Sequence, residues 1–256
     1  MIEPEEISAK YRAPALEKGL DVLELLAARG APMGMVQIAA ALNRSVSELF
    51  RMVQVLEHRG YVANTPEGDG LVLTNKLFSL GMTRAPARSV LEAALPVMRR
   101  LTEVIGQSCH LAVASAGEMV VVARIEAPGN QGFSVRVGYH RAIVEATSGL
   151  VLYAFQPETV RAEWRARLEP TVAPSVWAKF EAGADQARVD RYVQAPSGVT
   201  RLVVDLSAPI FGPDGVAAAL TSPYVETPTA IPVPDTIAAL RAAADEISAE
   251  LGGQFQ

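Results

Sequence analysis

The strongest constraint on the fold is a pair of helical segments near the N-terminus, separated by a very short break. Residues 35–42 are compatible with a short helix, and Asn43, Arg44 and Ser45 interrupt it. The segment 45–60 then has apolar residues at helical spacing, which predicts an amphipathic helix with one buried stripe. The residues of this stripe are Val46, Leu49, Phe50, Val53 and Leu56. A three-residue turn between two helices is typical of the helix-turn-helix motif.

The flanking segments extend this motif into a larger domain. Residues 15–29 have apolar side chains at helical spacing and predict a helix before the motif. Two short β-prone runs, 61–65 and 71–74, flank the turn sequence PEGDG and predict a hairpin. We therefore predict a winged helix-turn-helix DNA-binding domain over residues 1–85.

Six residues around the start of the second motif helix are predicted to contact DNA, because the first turns of a recognition helix meet base edges in the major groove. They are Arg44, Ser45, Ser47, Glu48, Arg51 and Gln54. Arginine can bind guanine through two hydrogen bonds, serine can bind a phosphate or a base, and glutamate can accept from cytosine N4. Ser45 and Glu48 also form a capping-box pattern, a helix-starting role that competes with base contact.

The charge of this domain is unfavourable for DNA binding by a single copy. Residues 1–85 contain nine Lys and Arg against ten Asp and Glu, and the whole chain has a net charge of −5. Because counterion release scales with the number of phosphate contacts, one copy would bind weakly. Two copies double the contacts and read two half-sites, so we predict a homodimer or homotetramer. We expect five apolar side chains to be core rather than interface: Phe50, Met52, Leu77, Phe78 and Leu80.

The remainder of the chain reads as a long helix followed by mixed strands and helices. Residues 86–105 predict a linker helix in spite of Pro96. Beyond it, β-prone runs surround turn signals at 116–117 and 213–215, with helical segments between them. Because strands and helices mix without strict alternation, we predict an α+β domain around an antiparallel sheet for residues 106–256.

Composition limits the class of protein. No apolar run approaches the roughly 20 residues that span a bilayer, and the acidic, polar first residues lack the pattern of a secretory signal. A single cysteine, Cys109, cannot form an internal disulfide and fits a reducing cytoplasm. Its apolar strand predicts a buried, inert thiol. We therefore expect a cytoplasmic protein without membrane association.

No catalytic pattern is evident in the sequence. His58, His110 and His140 are scattered, and none lies at metal-ligand spacing with another ligating residue. The nucleophile elbow G-x-S-x-G, the P-loop and G-x-G-x-x-G are all missing. We therefore predict that the chain is not an enzyme and holds no metal ion or cofactor.

Six stretches, in order and spacing, resemble the IclR-type transcriptional regulators. They are ALEKGLDVLELLA (15–27), RSVSELFRMVQVLEHRGYV (44–62), KLFSLG (76–81), HLAVASAGEMVVVARIEAP (110–128), VRVGYHRAIVEATSGLVLYAF (135–155) and APIFGPDGVAAALT (208–221). The resemblance implies a winged helix-turn-helix domain joined by a helix to a GAF-like or profilin-like α+β effector-binding domain with a central antiparallel sheet.

The resemblance also implies where an effector would bind in the second domain. Matched by position, one wall consists of Glu145, Thr147, Ser148 and Gly149. The strands that complete the pocket contribute Ala195, Asp205 and Thr221. Similar proteins often have an aspartate at the position of Ala195, a cysteine at that of Asp205 and a serine at that of Thr221.

Other positions depart from that pattern in a way that bears on the ligand. Pro223 replaces a second serine, and Glu145 replaces a common histidine. Glu145 and Asp205 would repel a carboxylate ligand unless they point away or pair with an arginine; the candidates are Arg124, Arg136, Arg141 and Arg201. We therefore expect a larger, more neutral ligand, such as a hydroxylated aromatic bound through Asp205 and Thr221. The alternative is that Asp205 faces solvent.

Together these features predict a ligand-responsive bacterial transcription regulator. It would bind double-stranded promoter DNA as a dimer or tetramer, and a small organic metabolite of a catabolic pathway would bias the arrangement of its subunits. Two alternatives remain open. In the first, the protein binds DNA constitutively and its second domain only oligomerises; in the second, that domain is an enzyme acting on a small molecule.

Overall fold

The chain folds into two compact units, residues 1–85 and 86–256. The structure is a computed structural model. The N-terminal segment 1–12, for which no secretory signal is expected, lies outside the described residues. The residues described are 13–66, 68, 70–82, 85–128, 132–228 and 230–253.

The first unit combines helices with a small hairpin. Its elements are α1 (Pro14–Arg29), α2 (Met35–Ala41), α3 (Val46–His58), β1 (Val62–Asn64), β2 (Leu71–Leu73) and α4 (Lys76–Met82). Strands β1 and β2 pair antiparallel, with Val62 opposite Leu73, and Met33 forms an isolated bridge with Leu71. The order of helices, turn, helix and hairpin confirms the predicted winged helix-turn-helix.

Local signals set the ends of the helices. Gly30 adopts a left-handed conformation (φ 60°) and its N–H bonds the Leu26 carbonyl, which ends α1. At the start of α3, the Glu48 N–H donates to Ser45 Oγ at 3.3 Å, and the Ser45 N–H donates to Glu48 Oε2 at 3.0 Å. The predicted capping box is therefore confirmed.

The predicted apolar stripe of α3 is only partly correct. Leu49 and Val53 are buried in the core of the first unit, but Phe50 is 49% and Val46 39% exposed. The expectation that Phe50 is core is therefore wrong. Successive helical residues are about 100° apart, so Phe50 is turned away from the contact that Leu49 makes.

The same expectation fails in α4. Leu77, Phe78 and Leu80 are exposed, Phe78 by 66%. They follow a helical pattern, but the core of the first unit is built from other elements. Met52 is half-buried.

The second unit is built around a sheet. Its elements are α5 (Ala85–Ile105), β3 (Cys109–Ser115), β4 (Glu118–Ile125), β5 (His140–Ala142), α6 (Thr147–Ala154), α7 (Glu158–Leu168), α8 (Pro174–Asp190), β6 (Val193–Pro196), β7 (Val203–Gly212), β8 (Gly215–Val225) and α9 (Val233–Glu250). In the described part of the chain the strand order is β5-β4-β3-β8-β7-β6, and every pairing is antiparallel. The predicted α+β fold with an antiparallel sheet is confirmed.

The two faces of this sheet support different helices. One face packs against α5 and α9, and its β7 residues are Leu206, Ala208 and Ile210. Side chains alternate across a strand, so Asp205 and Ser207 point to the other face, which packs against α6 and α8. The apolar side chains of α5 from Val90 to Ile105 pack in the core of the second unit. The later part of the predicted linker helix is therefore part of that core.

Within the described ranges, no helix is both long enough and apolar enough to cross a lipid bilayer.

Candidate DNA interface and effector site

One face of α3 is open for contact with a duplex. Ser47, Arg51 and Gln54 are exposed, and their spacing of four and three residues places them on one side of the helix. This side is turned away from the buried Leu49 and Val53. Arg51 makes no hydrogen bond or ion pair with any described residue, so its guanidinium group can reach a base or a phosphate.

Arg44 is held by a neighbouring helix. Its Nη2 lies 3.2 Å from Oδ2 of Asp21 on α1, and both side chains are partly exposed. Ion pairs of this kind contribute roughly 0–1 kcal/mol. A phosphate could therefore replace Asp21 as the partner of Arg44 at little cost.

Glu48 is fully engaged within the protein. Its Oε2 accepts from both the N–H and the hydroxyl of Ser45, each at 3.0 Å, and its Oε1 lies 3.1 Å from Nζ of Lys18. The backbone hydrogen bond of Ser45, followed by the contact with Lys18, lowers the pKa of Glu48 to about 2. A bond to cytosine N4 would have to break these contacts, so this geometry favours the helix-starting role of Glu48 over base reading.

The pKa of Glu48 leads to a pH-dependent prediction. Because the folded protein lowers this pKa from 4.5 to about 2, the ionised carboxylate stabilises the fold fully above pH 4.5 and progressively less as the pH falls towards 2. Glu48→Ala should therefore unfold at lower urea concentration than the wild type at pH 7, and this gap should narrow at pH 3. Urea titrations at both pH values measure it.

Glu24→Ala is the matched control, since Glu24 is an exposed glutamate of α1 and no described residue bonds its carboxylate. It should leave the midpoint nearly unchanged at both pH values. A Glu48→Ala gap of equal size at pH 3 and pH 7 would show that the carboxylate charge is not the source of the stabilisation.

The second unit contains a cavity of about 1060 Å³ between the start of α6, one face of α8 and strand β6. Three residues of the predicted effector site line it: Glu145, Thr147 and Ala195. Much of the remaining wall is apolar and includes Leu150, Val176, Phe180, Val193 and Val204. This composition is typical of sites for small organic molecules, in which a few polar groups orient an apolar body.

Asp205 lies beside this cavity rather than on its lining. The hydroxyl of Thr147 donates to Asp205 Oδ2 at 3.4 Å, and β6–β7 pairing places Asp205 opposite Ala195. Burial raises the pKa of Asp205, although hydrogen bonds from Ser197 and Thr147 and the charge of Arg141 oppose that shift. The side chain is half-buried, with an acceptor that a ligand group could share with Thr147.

Thr221 lies deeper, in a buried polar layer on the face of the sheet below α6. Its hydroxyl is 2.8 Å from that of Ser207, and it pairs across β3–β8 with His110. His110 is fully buried; burial lowers its pKa to about 4, and its Nδ1 has no hydrogen-bond partner among the described residues. Ser207 and His110 are polar residues that sequence reasoning missed in this layer.

Ser148 and Gly149 are buried at the start of α6 and lie outside the cavity lining. A Cβ atom on Gly149 would lie 2.2 Å from the carbonyl oxygen of Ile143. Glycine is therefore needed here because α6 passes directly over the 3-10 turn Ile143–Glu145. Its role in the structure is to let the backbones approach, which positions Thr147 at the cavity.

Glu145 is exposed and already paired. Arg141 Nε lies 3.0 Å from its Oε2, one helical turn away in sequence. This is one of the arrangements that would reduce the repulsion of an acidic ligand. The wall formed by Ser175, Lys179 and Gln186 of α8 was missed, because a helix with polar residues on one side also fits an ordinary solvent-facing helix.

The cysteine prediction is confirmed. Cys109 is buried, and burial raises the pKa of its thiol to about 12, so a reactive thiolate is not formed near neutral pH. Among the described residues, no group of three His, Cys, Asp or Glu side chains is arranged to hold a metal ion.

Comparison with known families gives matches to both units. Residues 15–66 match the IclR helix-turn-helix domain, and residues 83–249 match the C-terminal domain of the bacterial transcriptional regulator IclR. Among relatives, the transcriptional repressor AllR of Escherichia coli K12 is 28% identical over 118 residues, which are 46% of this chain and 44% of AllR. The regulator KdgR of the same organism is 26% identical over 124 residues, 48% of this chain and 47% of KdgR. The chain thus matches less than half of the length of these relatives.

Solved structures share the fold over nearly the whole chain. An IclR homologue from Microbacterium hydrocarbonoxydans, in complex with 4-hydroxybenzoate, has a TM-score of 0.75 at 24% identity and covers 93% of this chain and 99% of its own. HmgR of Pseudomonas aeruginosa has a TM-score of 0.70 at 24% identity, covering 93% and 99%. The matched families are regulators and not enzymes. Since the C-terminal family model alone covers more than half of the sequence, this chain belongs to the IclR family of bacterial transcriptional regulators.

Proposed function

We propose that this protein binds promoter DNA through α3 as a homodimer or homotetramer in the cytoplasm, and that a small organic effector in the cavity beside α6 changes its DNA affinity. The observation that carries the proposal is the exposed face of α3, where Arg51 and Gln54 are unpaired among the described residues. Arginine and glutamine are the side chains that bind guanine and adenine edges through two hydrogen bonds.

The cavity supports a hydroxylated aromatic effector of a catabolic pathway. Its apolar wall suits a ring, and the half-buried Asp205 supplies an acceptor for a hydroxyl group. Glu145 is paired with Arg141, so its charge is partly compensated. That an IclR homologue binds 4-hydroxybenzoate makes this compound and its uncharged phenolic analogues the first probes to use. The uncharged analogues avoid repulsion between a ligand carboxylate and the acidic side chains. The proposed bond runs from the phenolic hydroxyl to the Asp205 carboxylate.

Calorimetry on the wild type tests the ligand class. We expect 4-hydroxybenzoate and related phenols to bind more tightly than glyoxylate or pyruvate, which lack a ring to fill the cavity. Asp205→Ala should weaken phenol binding by about tenfold or more, because a hydrogen bond to a charged group contributes roughly 1.5–3 kcal/mol.

Asp185→Ala is the control for that experiment. Asp185 is exposed on α8 and has no hydrogen bond to the cavity lining among the described residues, whereas Asp205 is bonded to Thr147 of that lining. Asp185→Ala should therefore leave the affinity unchanged. Tight glyoxylate binding, or equal phenol affinity of the wild type and Asp205→Ala, would contradict the proposed ligand class.

Selection of duplexes from a random library tests DNA binding itself. The wild type should enrich a sequence with two related half-sites, and sedimentation of the complex should show two or four copies of the chain. DNA affinity that responds to a bound phenol would support effector control. If neither a phenol nor any other small organic metabolite changes it, the second unit serves only for oligomerisation.

A further inference from the structure

The exposed aromatic ring on α3 carries the next inference. We infer that Phe50 is a specificity residue that contacts the C5-methyl group of a thymine in the major groove. This inference rests on the proposed DNA binding by α3, and it assigns a base to a side chain that the sequence pattern places in the core.

The position of Phe50 puts it among the groups proposed to read DNA. It is the fifth residue of α3 and follows Ser47 by three positions and precedes Gln54 by four, so the three side chains form one continuous surface. Phe50 is 49% exposed, and Arg51 is next to it. The first turns of a recognition helix are those that meet base edges.

The packing of the first unit leaves the ring outside its core. Leu49 and Val53 fill that core, whereas Phe50 borders a crevice of about 340 Å³ between α3 and the hairpin, together with Gln54 and Gly70. The ring is thus supported on one side and open on the other. A supported apolar surface of this kind can bury a small apolar group without rearranging the core.

Thymine supplies the matching group. In the major groove, thymine presents a methyl group, and phenylalanine is among the side chains that contact it. Of the other polar candidates, Arg44 and Glu48 are engaged with Asp21 and Lys18. The hydroxyl groups of Ser45 and Ser47 lie 3.1 Å apart and share a hydrogen bond. Base reading by α3 therefore falls mainly to Arg51, Gln54 and Phe50, whose chemistry fits guanine, adenine and thymine.

The helix spacing makes a combined contact feasible. Gln54 lies four residues after Phe50, about 6 Å further along the helix axis. Base pairs stack about 3.4 Å apart, so the two side chains can reach adjacent or next-but-one base pairs. An enriched operator should therefore contain a thymine close to an adenine in each half-site.

Replacement of single thymines by deoxyuridine tests the contact, because uracil lacks only the methyl group. The probe is the duplex that full-length wild-type protein enriches from a random library. We expect one thymine in each half-site at which the change weakens binding about fourfold, which corresponds to the roughly 0.8 kcal/mol of one buried methyl group. The other thymines should show no effect unless another side chain contacts them.

The Phe50→Ala variant assigns that thymine to the ring. The variant should bind the duplex more weakly than wild type, and the deoxyuridine change at the sensitive position should then cause no further loss. The Phe50→Leu variant, which keeps an apolar side chain, should retain part of the sensitivity to deoxyuridine that Phe50→Ala loses. Val55 is 53% exposed in the C-terminal half of the same helix, and Val55→Ala should keep both the affinity and the sensitivity of the wild type.

Several outcomes would overturn the inference. One is a sensitivity to deoxyuridine that is equal in the wild type and Phe50→Ala. Another is a change in sedimentation mass of the DNA-free Phe50→Ala protein, which would place the ring at an interface between copies. If the wild type enriches no duplex at all, that result contradicts the proposed DNA binding by α3, and the assignment of Phe50 is overturned together with it. Circular dichroism of each variant confirms that it is folded.

Discussion

Arg51→Ala should weaken binding to the enriched operator by about 5- to 140-fold for each half-site. This range corresponds to the roughly 1–3 kcal/mol of discrimination that one two-bonded arginine–guanine contact provides. The effect should be large because, among the described residues, the Arg51 guanidinium group has no partner that would compete with DNA in the free protein. Fluorescence anisotropy with a labelled duplex measures the change.

Salt dependence tells which part of the duplex Arg51 contacts. If it binds guanine, Arg51→Ala should lower the affinity mainly for the enriched sequence and leave the slope of log K against log salt nearly unchanged. If it binds a phosphate, the slope should decrease by about 0.9 and all duplexes should be affected alike. We expect the first pattern.

Arg29→Ala is the control for charge alone. Arg29 is an exposed arginine at the end of α1, and its replacement removes the same charge from the same unit. Its effect on operator affinity should be below about threefold. Equal losses for the two variants would show that α3 does not read the duplex through Arg51.

Gly149→Ala should lower the free energy of unfolding of the second unit by at least the upper end of the roughly 1–3 kcal/mol typical of overpacking. The added Cβ would lie 2.2 Å from the Ile143 carbonyl oxygen and 2.8 Å from its carbon. Backbone atoms cannot turn aside as a side chain can, so α6 or the 3-10 turn has to move. Because that turn and the start of α6 carry Glu145 and Thr147, the variant should also lose phenol binding.

Gly183→Ala separates this clash from a general effect of adding a methyl group. Gly183 is also helical, but its added Cβ would meet only the side-chain methyl groups of Leu150, the nearer at 3.2 Å. It should be close to neutral in urea unfolding monitored by circular dichroism. A Gly149→Ala protein as stable as Gly183→Ala would mean that α6 does not pass over the turn as described.

The start of α3 shows what a local pattern can predict. The Ser45–Glu48 capping box depends on two residues three positions apart, and their side chains meet whenever a helix forms between them. Helical periodicity, which is also local, predicts the exposure of Ser47, Arg51 and Gln54. The pattern failed at the edge of the apolar stripe, where it placed Phe50 in the core although the side chain is 49% exposed.

The effector site could be predicted only in part from such local patterns. Period-two alternation separates Asp205 and Ser207 from Leu206 in any strand, but it does not tell which face α6 will cover. The resemblance brought Thr147, Asp205 and Thr221 together by position. It did not include His110 or the wall that α8 contributes, since these depend on how segments far apart in sequence pack.

The amino-acid sequence by itself therefore determined the helix-turn-helix, the capping of α3, the strands of the second unit and the exposed polar face of α3. All of these follow from periodicity and from hydrogen bonds between near neighbours. Only the tertiary structure decided that Asp21 holds Arg44, that Thr147 bonds Asp205 and that Phe50 stays outside the core. These contacts join residues brought together by packing of whole elements, and burial, rather than local propensity, selects them.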